Sequence, residues 1–227
     1  MKNIRIACIS DTHEQESSID IPPCDILVHA GDITSEGDYD KLVQFDAWGG
    51  SLGLPRERMI CIAGNHDKTL EGDAETAEAI LTHWTYLQDA AHEVCGLKFW
   101  GTPWSLEFFR ERWVFNVRRG EPARACWDMI PAGTDVLVVH GPPRHYGDKL
   151  EGGEHVGCPD LADVLSGIRP RLTVCGHVHS DPGIFAAPWG TVVNASSLDE
   201  NYSPAGSPVV INLRVPGLEE LQKWRDG

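Results

Sequence analysis

The chain has 227 residues, 19 basic and 34 acidic, for a formal charge of −15. That length suits one sizeable core, and the charge opposes a long polyanionic partner unless bound cations or a basic patch reverse the field. Seven cysteines form no CxxC pair, and Cys8, Cys61 and Cys175 sit inside apolar runs, which argues against a disulfide scaffold and for a reducing, cytoplasmic setting.

No signal peptide, membrane-spanning run, repeat or linker is expected, and residues 1–227 read as a single domain. Residues Ile4 to Ile9 form a β-rich run that stops at Ser10-Asp11-Thr12-His13. After a polar loop, Asp25 to His29 is a buried-type strand ending at Ala30-Gly31-Asp32. Asp38 to Leu52 reads as a helix. Met59 to Ala63 is the third strand, and it delivers Gly64-Asn65-His66-Asp67, with Gly64 letting the backbone turn from strand to loop.

Asp73 to Trp84 reads as a second helix, followed by short strands at Tyr86-Leu87 and around a turn in Val94 to Gly101. Trp100, Trp104, Trp113 and Trp127, with Phe108, Phe109 and Phe115, crowd this region without interleaved lysines, so core filling fits them better than a base-stacking platform. Trp104 follows a strand and is placed to line a cleft. Asp135 to Val139 is an apolar strand ending at His140-Gly141-Pro142-Pro143. The long loop from Arg144 to Gly157 carries Arg144, His145 and Lys149, read either as substrate contacts or as solvated residues. Leu161 to Ile168 is a short helix, and the strand Leu172 to Cys175 ends at Gly176-His177-Val178-His179. Ile184 to Ala187, Thr191 to Asn194 and Pro208 to Val215 read as antiparallel closing strands, and the last dozen residues as a polar tail or short helix.

Five strands therefore end in Asp11/His13, Asp32, Asn65/His66, His140 and His177/His179. The carboxyl edge of an α/β sheet is where such folds place their ligands. Without a thiolate, the set favours manganese, iron, zinc, cobalt, nickel or magnesium, and it is too large for one ion. Each residue alone has an ordinary reading: a lone histidine as a satisfied core group, Asp32 and Asn65 as turn formers. Together, each behind an apolar strand, they point to two ions sharing a bridge. Within His177-Val178-His179, residues i and i+2 of a loop can reach neighbouring ions. Cys175 and His29 read as core or supporting residues.

The ordered blocks Asp11-Thr12-His13, Gly31-Asp32, Gly64-Asn65-His66-Asp67, His140-Gly141-Pro142-Pro143 and Gly176-His177-Val178-His179 resemble the calcineurin-like metallophosphoesterase superfamily. Trp100 to Trp104, Phe115-Asn116-Val117, Gly157-Cys158 and Asn194-Ala195-Ser196 further resemble the small MPPED-like phosphodiesterases of class III. The resemblance implies an α/β fold, a four-layer αββα sandwich of two mixed sheets flanked by helices. It implies two divalent metal ions, manganese foremost: Asp11, His13 and His179 on one, Asn65, His140 and His177 on the other, Asp32 bridging both. His66 would stand off the metals as proton donor to the leaving alkoxide, with Asp67 either orienting its ring or forming a turn. The expected activity is hydrolysis of small phosphodiesters, cyclic nucleotides among them, by a hydroxide bridging the metals. A phosphomonoesterase or protein phosphatase of the same fold, and a scaffold without catalysis, are the alternatives. The expected partner is a small phosphate ester, with no extended nucleic acid and no membrane; oligomeric state is left open.

Overall fold

The computed structural model describes residues 1–72, 74–108 and 113–216. Asp73, Phe109 and the C-terminal tail, all part of the sequence reading, lie outside the described residues. In chain order the elements are β1 (Lys2–Ile9), β2 (Ile26–His29), α1 (Tyr39–Ser51), β3 (Met59–Cys61), α2 (Ala74–Ile80), β4 (Thr85–Tyr86), β5 (Ala90–Val94), β6 (Leu97–Thr102), β7 (Ser105–Leu106) and β8 (Asn116–Val117). They continue with α3 (Glu121–Trp127), β9 (Val136–Val139), α4 (Pro159–Ile168), β10 (Leu172–Cys175), β11 (Gly183–Ala187), β12 (Gly190–Asn194) and β13 (Val209–Val215).

Two mixed sheets result, ordered β13-β1-β2-β3-β4 and β11-β12-β10-β9-β6-β5, with β7 and β8 as a small parallel pair. Alternation along each strand divides the apolar residues among three cores. Ile4, Ile6, Val28 and Ile60 of the first sheet meet Phe99, Val136, Val138 and Val174 of the second. On its other face the first sheet packs Ala7, Leu27 and Met59 against Leu42 and Phe45 of α1 and Ala77 of α2. The second sheet packs Leu137, Val139 and Cys175 against Ala123 and Trp127 of α3 and Leu161 and Leu165 of α4. Three cores between four layers give the αββα sandwich.

Local chemistry sets the helix ends. In α4 the Sγ of Cys158 accepts from Leu161 N, Pro159 opens the first turn, and Arg169 closes the helix at φ 57°. Proline is favoured there because its fixed φ suits the first turn and its missing N–H is not needed, so the helix starts two residues before the sequence reading. Two further departures stand out. Helix α3 has no counterpart in the sequence reading, because seven residues with Ala123 and Trp127 as their buried face carry too little periodicity. The closing strands are not all antiparallel: β12 is antiparallel to β11 but parallel to β10. No helix among the described residues is long and apolar enough to cross a membrane.

Candidate metal centre

Strands β1, β2 and β3 run parallel, as do β9 and β10, so their carboxyl ends meet at one edge. The loops there are sewn together by Asp11 N donating to Gly31 O at 2.9 Å and Gly176 N to His140 O at 3.0 Å. Tight quarters demand unusual backbone: Asp11, His13, Asp32 and His177 have φ of 52°, 41°, 55° and 69°. Left-handed conformations in non-glycine residues cost on the order of 1–3 kcal/mol each and persist where surrounding structure enforces them. Gly64 serves differently from the sequence reading. It is absent from the positive-φ residues, and its role is close approach, since a Cβ there would fall on the Asp32 carboxylate and amide nitrogen.

Two groups of ligand-type atoms form, Asp11 with His13 and His179, and Asp32 with His140 and His177, each with its atoms within 4.8 Å of one another. Oδ2 of Asp32 lies 3.3 Å from His140 Nε2 and 3.8 Å from His13 Nε2, so one carboxylate oxygen faces both groups. His179 Nε2 is 3.4 Å from Asp11 Oδ1, and Asn65 Oδ1 is 3.0 Å from His140 Nε2. His177 and His179 thus fall into different groups, with Val178 buried between them. All seven expected ligands converge.

Three of the four imidazoles are oriented alike. Backbone carbonyls accept from Nδ1 of His13 (Thr34 O, 3.1 Å), His140 (Ala30 O, 2.9 Å) and His179 (Asp199 O, 2.9 Å). That fixes the tautomer and leaves Nε2 turned inward, the usual support for a metal-binding histidine. His13 Nε2 and Asn65 Nδ2 are buried with no hydrogen-bond partner among the described residues. An orphaned imidazole nitrogen beside two carboxylates and an amide oxygen, with no thiolate, fits a borderline to hard divalent cation.

Charge is finely set. Burial by itself would raise the Asp32 carboxyl, but the imidazoles of His140 and His13 outweigh it and hold the group well below its usual range. Burial would likewise lower His140 and His179, yet Asp32 beside the first and Asp11 beside the second raise both to about 9. Burial prevails at His177, lowered to about 3, and at His13, also lowered. Of the four imidazoles, His140 and His179 are thus the two whose surroundings favour the protonated form.

His66 stands beside the ligands. Its backbone N–H donates to Asp32 Oδ1 at 2.8 Å, its Nδ1 to Ser35 O at 2.7 Å, and its ring lies 4.8 Å from that of His13. Trp113, read as core filling, instead packs on the His66 ring with centroids 3.8 Å apart. Asp67 does not orient that ring. Its Oδ1 accepts from Thr34 N and Oγ1, and its Oδ2 from Ile33 N and Gly64 N, so it ties the loop after β2 to the loop after β3. His29 is a supporting residue: Gly31 N donates to its Nδ1 at 3.3 Å, leaving Nε2–H for Thr12 Oγ1 at 3.0 Å. Cys175 is core, its thiol directed to Val193 O.

A cleft of about 430 Å³ opens over Asp32, Asn65, His66 and His177. Trp104 lines it, as the sequence suggests, whereas Arg144, His145 and Lys149 do not; the long loop contributes Leu150, Val156 and Gly157 instead. Two residues are missing from the sequence reading: Tyr202, whose ring lies 4.9 Å from His13 and 5.3 Å from His179, and Arg119, which donates to Val156 O and Gly157 O. Neither carries a local signal, since Tyr202 follows a polar turn and Arg119 precedes the weakly periodic α3.

Comparison with known proteins agrees with this geometry. The calcineurin-like phosphoesterase model matches residues 4–181. Human metallophosphoesterase domain-containing protein 1 is 36% identical over 237 residues, covering 93% of this chain and 72% of the relative. The UPF0046 protein C25E10.12 of Caenorhabditis elegans is 34% identical, covering 94% of this chain and 82% of its own length. The crystal structure of TT1561 of Thermus thermophilus superposes with a TM-score of 0.58 at 14% identity, covering 94% of this chain and all of the other. A family match that takes in every strand end bearing a ligand-type residue, on an αββα sandwich, assigns the chain: it belongs to the calcineurin-like phosphoesterase family.

Proposed function

We propose that the protein is a dinuclear, metal-dependent phosphodiesterase acting on small phosphate esters, cyclic nucleotides among them, with manganese as the first metal to test. The observation that carries this reading is Asp32 Oδ2, set 3.3 Å from His140 Nε2 and 3.8 Å from His13 Nε2, where a single oxygen can serve both ligand groups. Asp11, His13 and His179 would hold one ion and Asn65, His140 and His177 the other. Such ions, when bound, lower the pKa of a shared water and draw charge from the phosphoryl oxygens.

The remaining chemistry belongs to side chains. With Nδ1–H held by Ser35 O, a protonated His66 has its Nε2–H for the leaving alkoxide, a general-acid contribution of roughly 10²–10⁴-fold. Its backbone N–H on Asp32 Oδ1 keeps donor and bridge in register. A diester is favoured over a monoester because the one arginine or lysine among the described residues lining the cleft, Arg119, donates to the Val156 and Gly157 carbonyls rather than standing ready for a dianion. The charge of −15 favours a small ester over extended nucleic acid or an anionic membrane surface. Seven free cysteines suit a cytoplasmic setting for the 1–227 domain.

The test is turnover by manganese-loaded protein of bis-p-nitrophenyl phosphate against p-nitrophenyl phosphate, followed by cyclic nucleotides. Higher kcat/KM on the diester is expected. A clear monoester preference would move the assignment to a phosphomonoesterase, and no turnover with any divalent metal would reduce the site to a scaffold.

A further inference from the structure

The cleft is two-sided. Its floor is the ligand cluster, but its wall is made by Trp104, Leu106, Trp127, Val156 and Cys158. The polar atoms of that wall are turned away from the cleft's needs. The indole N–H of Trp104 donates to Asp89 Oδ2 at 2.9 Å, that of Trp127 to Cys158 Sγ at 3.2 Å, and Ser105 Oγ to Asn116 Oδ1 at 3.1 Å. What remains presented is carbon. The rim continues the theme: Phe108, Leu150 and Tyr202 line the cleft while 47%, 38% and 47% exposed. Large apolar side chains this exposed around a cleft suit contact with a bound apolar group. The ring of Phe108 sits 5.1 Å from that of His177, so this apolar rim begins at the ligand cluster itself.

Resting on the phosphoesterase reading above, we propose that this wall binds an uncharged aromatic or branched aliphatic group carried by the phosphoryl group of the substrate. A phosphoryl group seated over Asp32 and Asn65 shares its cleft with Trp127, Leu106 and Leu150, which line the same cavity. An apolar arm there exchanges water for carbon contact on both sides. A carboxylate arm loses its hydration and meets Glu107 and Glu200 in the cleft lining, where Arg119 is engaged by the Val156 and Gly157 carbonyls. Selectivity is therefore expected to lie in the arm, with the ligand cluster recognising only the phosphoryl group.

Single-arm phosphonates separate this proposal from turnover. Binding of methylphosphonate, phenylphosphonate and 2-carboxyethylphosphonate to the manganese-loaded full chain is measured by calorimetry. Phenylphosphonate should bind roughly tenfold or more tighter than methylphosphonate, the usual worth of a well-filled apolar pocket, and 2-carboxyethylphosphonate no tighter than methylphosphonate. Leu150→Ser, at an exposed rim position, and Leu106→Ala should each lower the phenyl-to-methyl ratio severalfold. Ile184→Ser, on an exposed residue of β11 outside the cleft, should leave that ratio alone. A ratio near one, a ratio unchanged in both cleft variants, or no measurable binding of phenylphosphonate overturns the proposal. Phenyl selectivity in a protein that turns over no ester would instead overturn the phosphoesterase reading and keep the wall.

Discussion

His140 joins the two sheets at the ligand cluster: from the end of β9 its Nδ1 donates to Ala30 O beside β2 at 2.9 Å, and its Nε2 lies 3.3 Å from Asp32 Oδ2. In the absence of a cation this imidazole is raised to about 9, despite burial, by the Asp32 carboxylate, and His179 is raised to about 9 beside Asp11. A metal needs both rings neutral, so it must displace their protons. Calorimetric titration of metal in buffers of different ionisation enthalpy should show release of about two protons per chain near pH 7, and affinity rising with pH toward about 9. The metal-free protein should behave oppositely. The stability these two rings contribute is full below the ordinary histidine value of 6.5 and is lost as pH rises through about 9. Thermal melts with and without metal across that range check the crossing trends.

His66→Ala removes the proton donor and leaves the ligand set intact. Its kcat on alkyl esters should fall by roughly 10²–10⁴-fold with metal content unchanged. On p-nitrophenyl esters the loss should be smaller, because that phenolate leaves with little help from an acid. Comparing the two leaving groups distinguishes lost proton donation from a distorted site, which would slow both alike.

Asp67→Asn replaces a carboxylate that accepts from Thr34 N, Thr34 Oγ1, Ile33 N and Gly64 N with an amide bearing only one acceptor oxygen. Two donors then face an NH2 group in a buried site. A loss of roughly 2–3 kcal/mol in unfolding free energy is expected, read by urea denaturation. Because the same bonds hold the loops of Asp32 and Asn65 together, metal affinity should fall as well.

Much of the site is legible in the sequence because apolar strands end abruptly in groups that no core requires. Ile60-Cys61-Ile62-Ala63 followed by Gly64-Asn65-His66-Asp67 is the clearest case, and the ends at Asp11, Asp32, His140 and His177 repeat it. The order of blocks then yields the layered fold. What stays hidden depends on contacts between distant segments. Asp and His tolerate a left-handed backbone better than most residues, but only the loop-to-loop hydrogen bonds reveal that Asp11, His13, Asp32 and His177 adopt it. Tyr202 reaches His13 and His179 only through the turn in which Asp199 O accepts from His179 Nδ1 and Asp199 Oδ1 from Asn201 N and Ser203 N. Gly64 shows the same limit: a glycine after a strand suggests a turn, and only the approach of Asp32 reveals why a side chain cannot fit.

The bridging position of Asp32 is the claim on which the rest depends, and counting metal tests it most directly. Wild-type protein and Asp32→Ala are each reconstituted with manganese, freed of excess ion and analysed by mass spectrometry for metal per chain. Occupancy approaching two in the wild type and below one in the variant is expected, because one carboxylate oxygen faces both ligand groups. Two metals retained in Asp32→Ala, or none bound by the wild type, would contradict it.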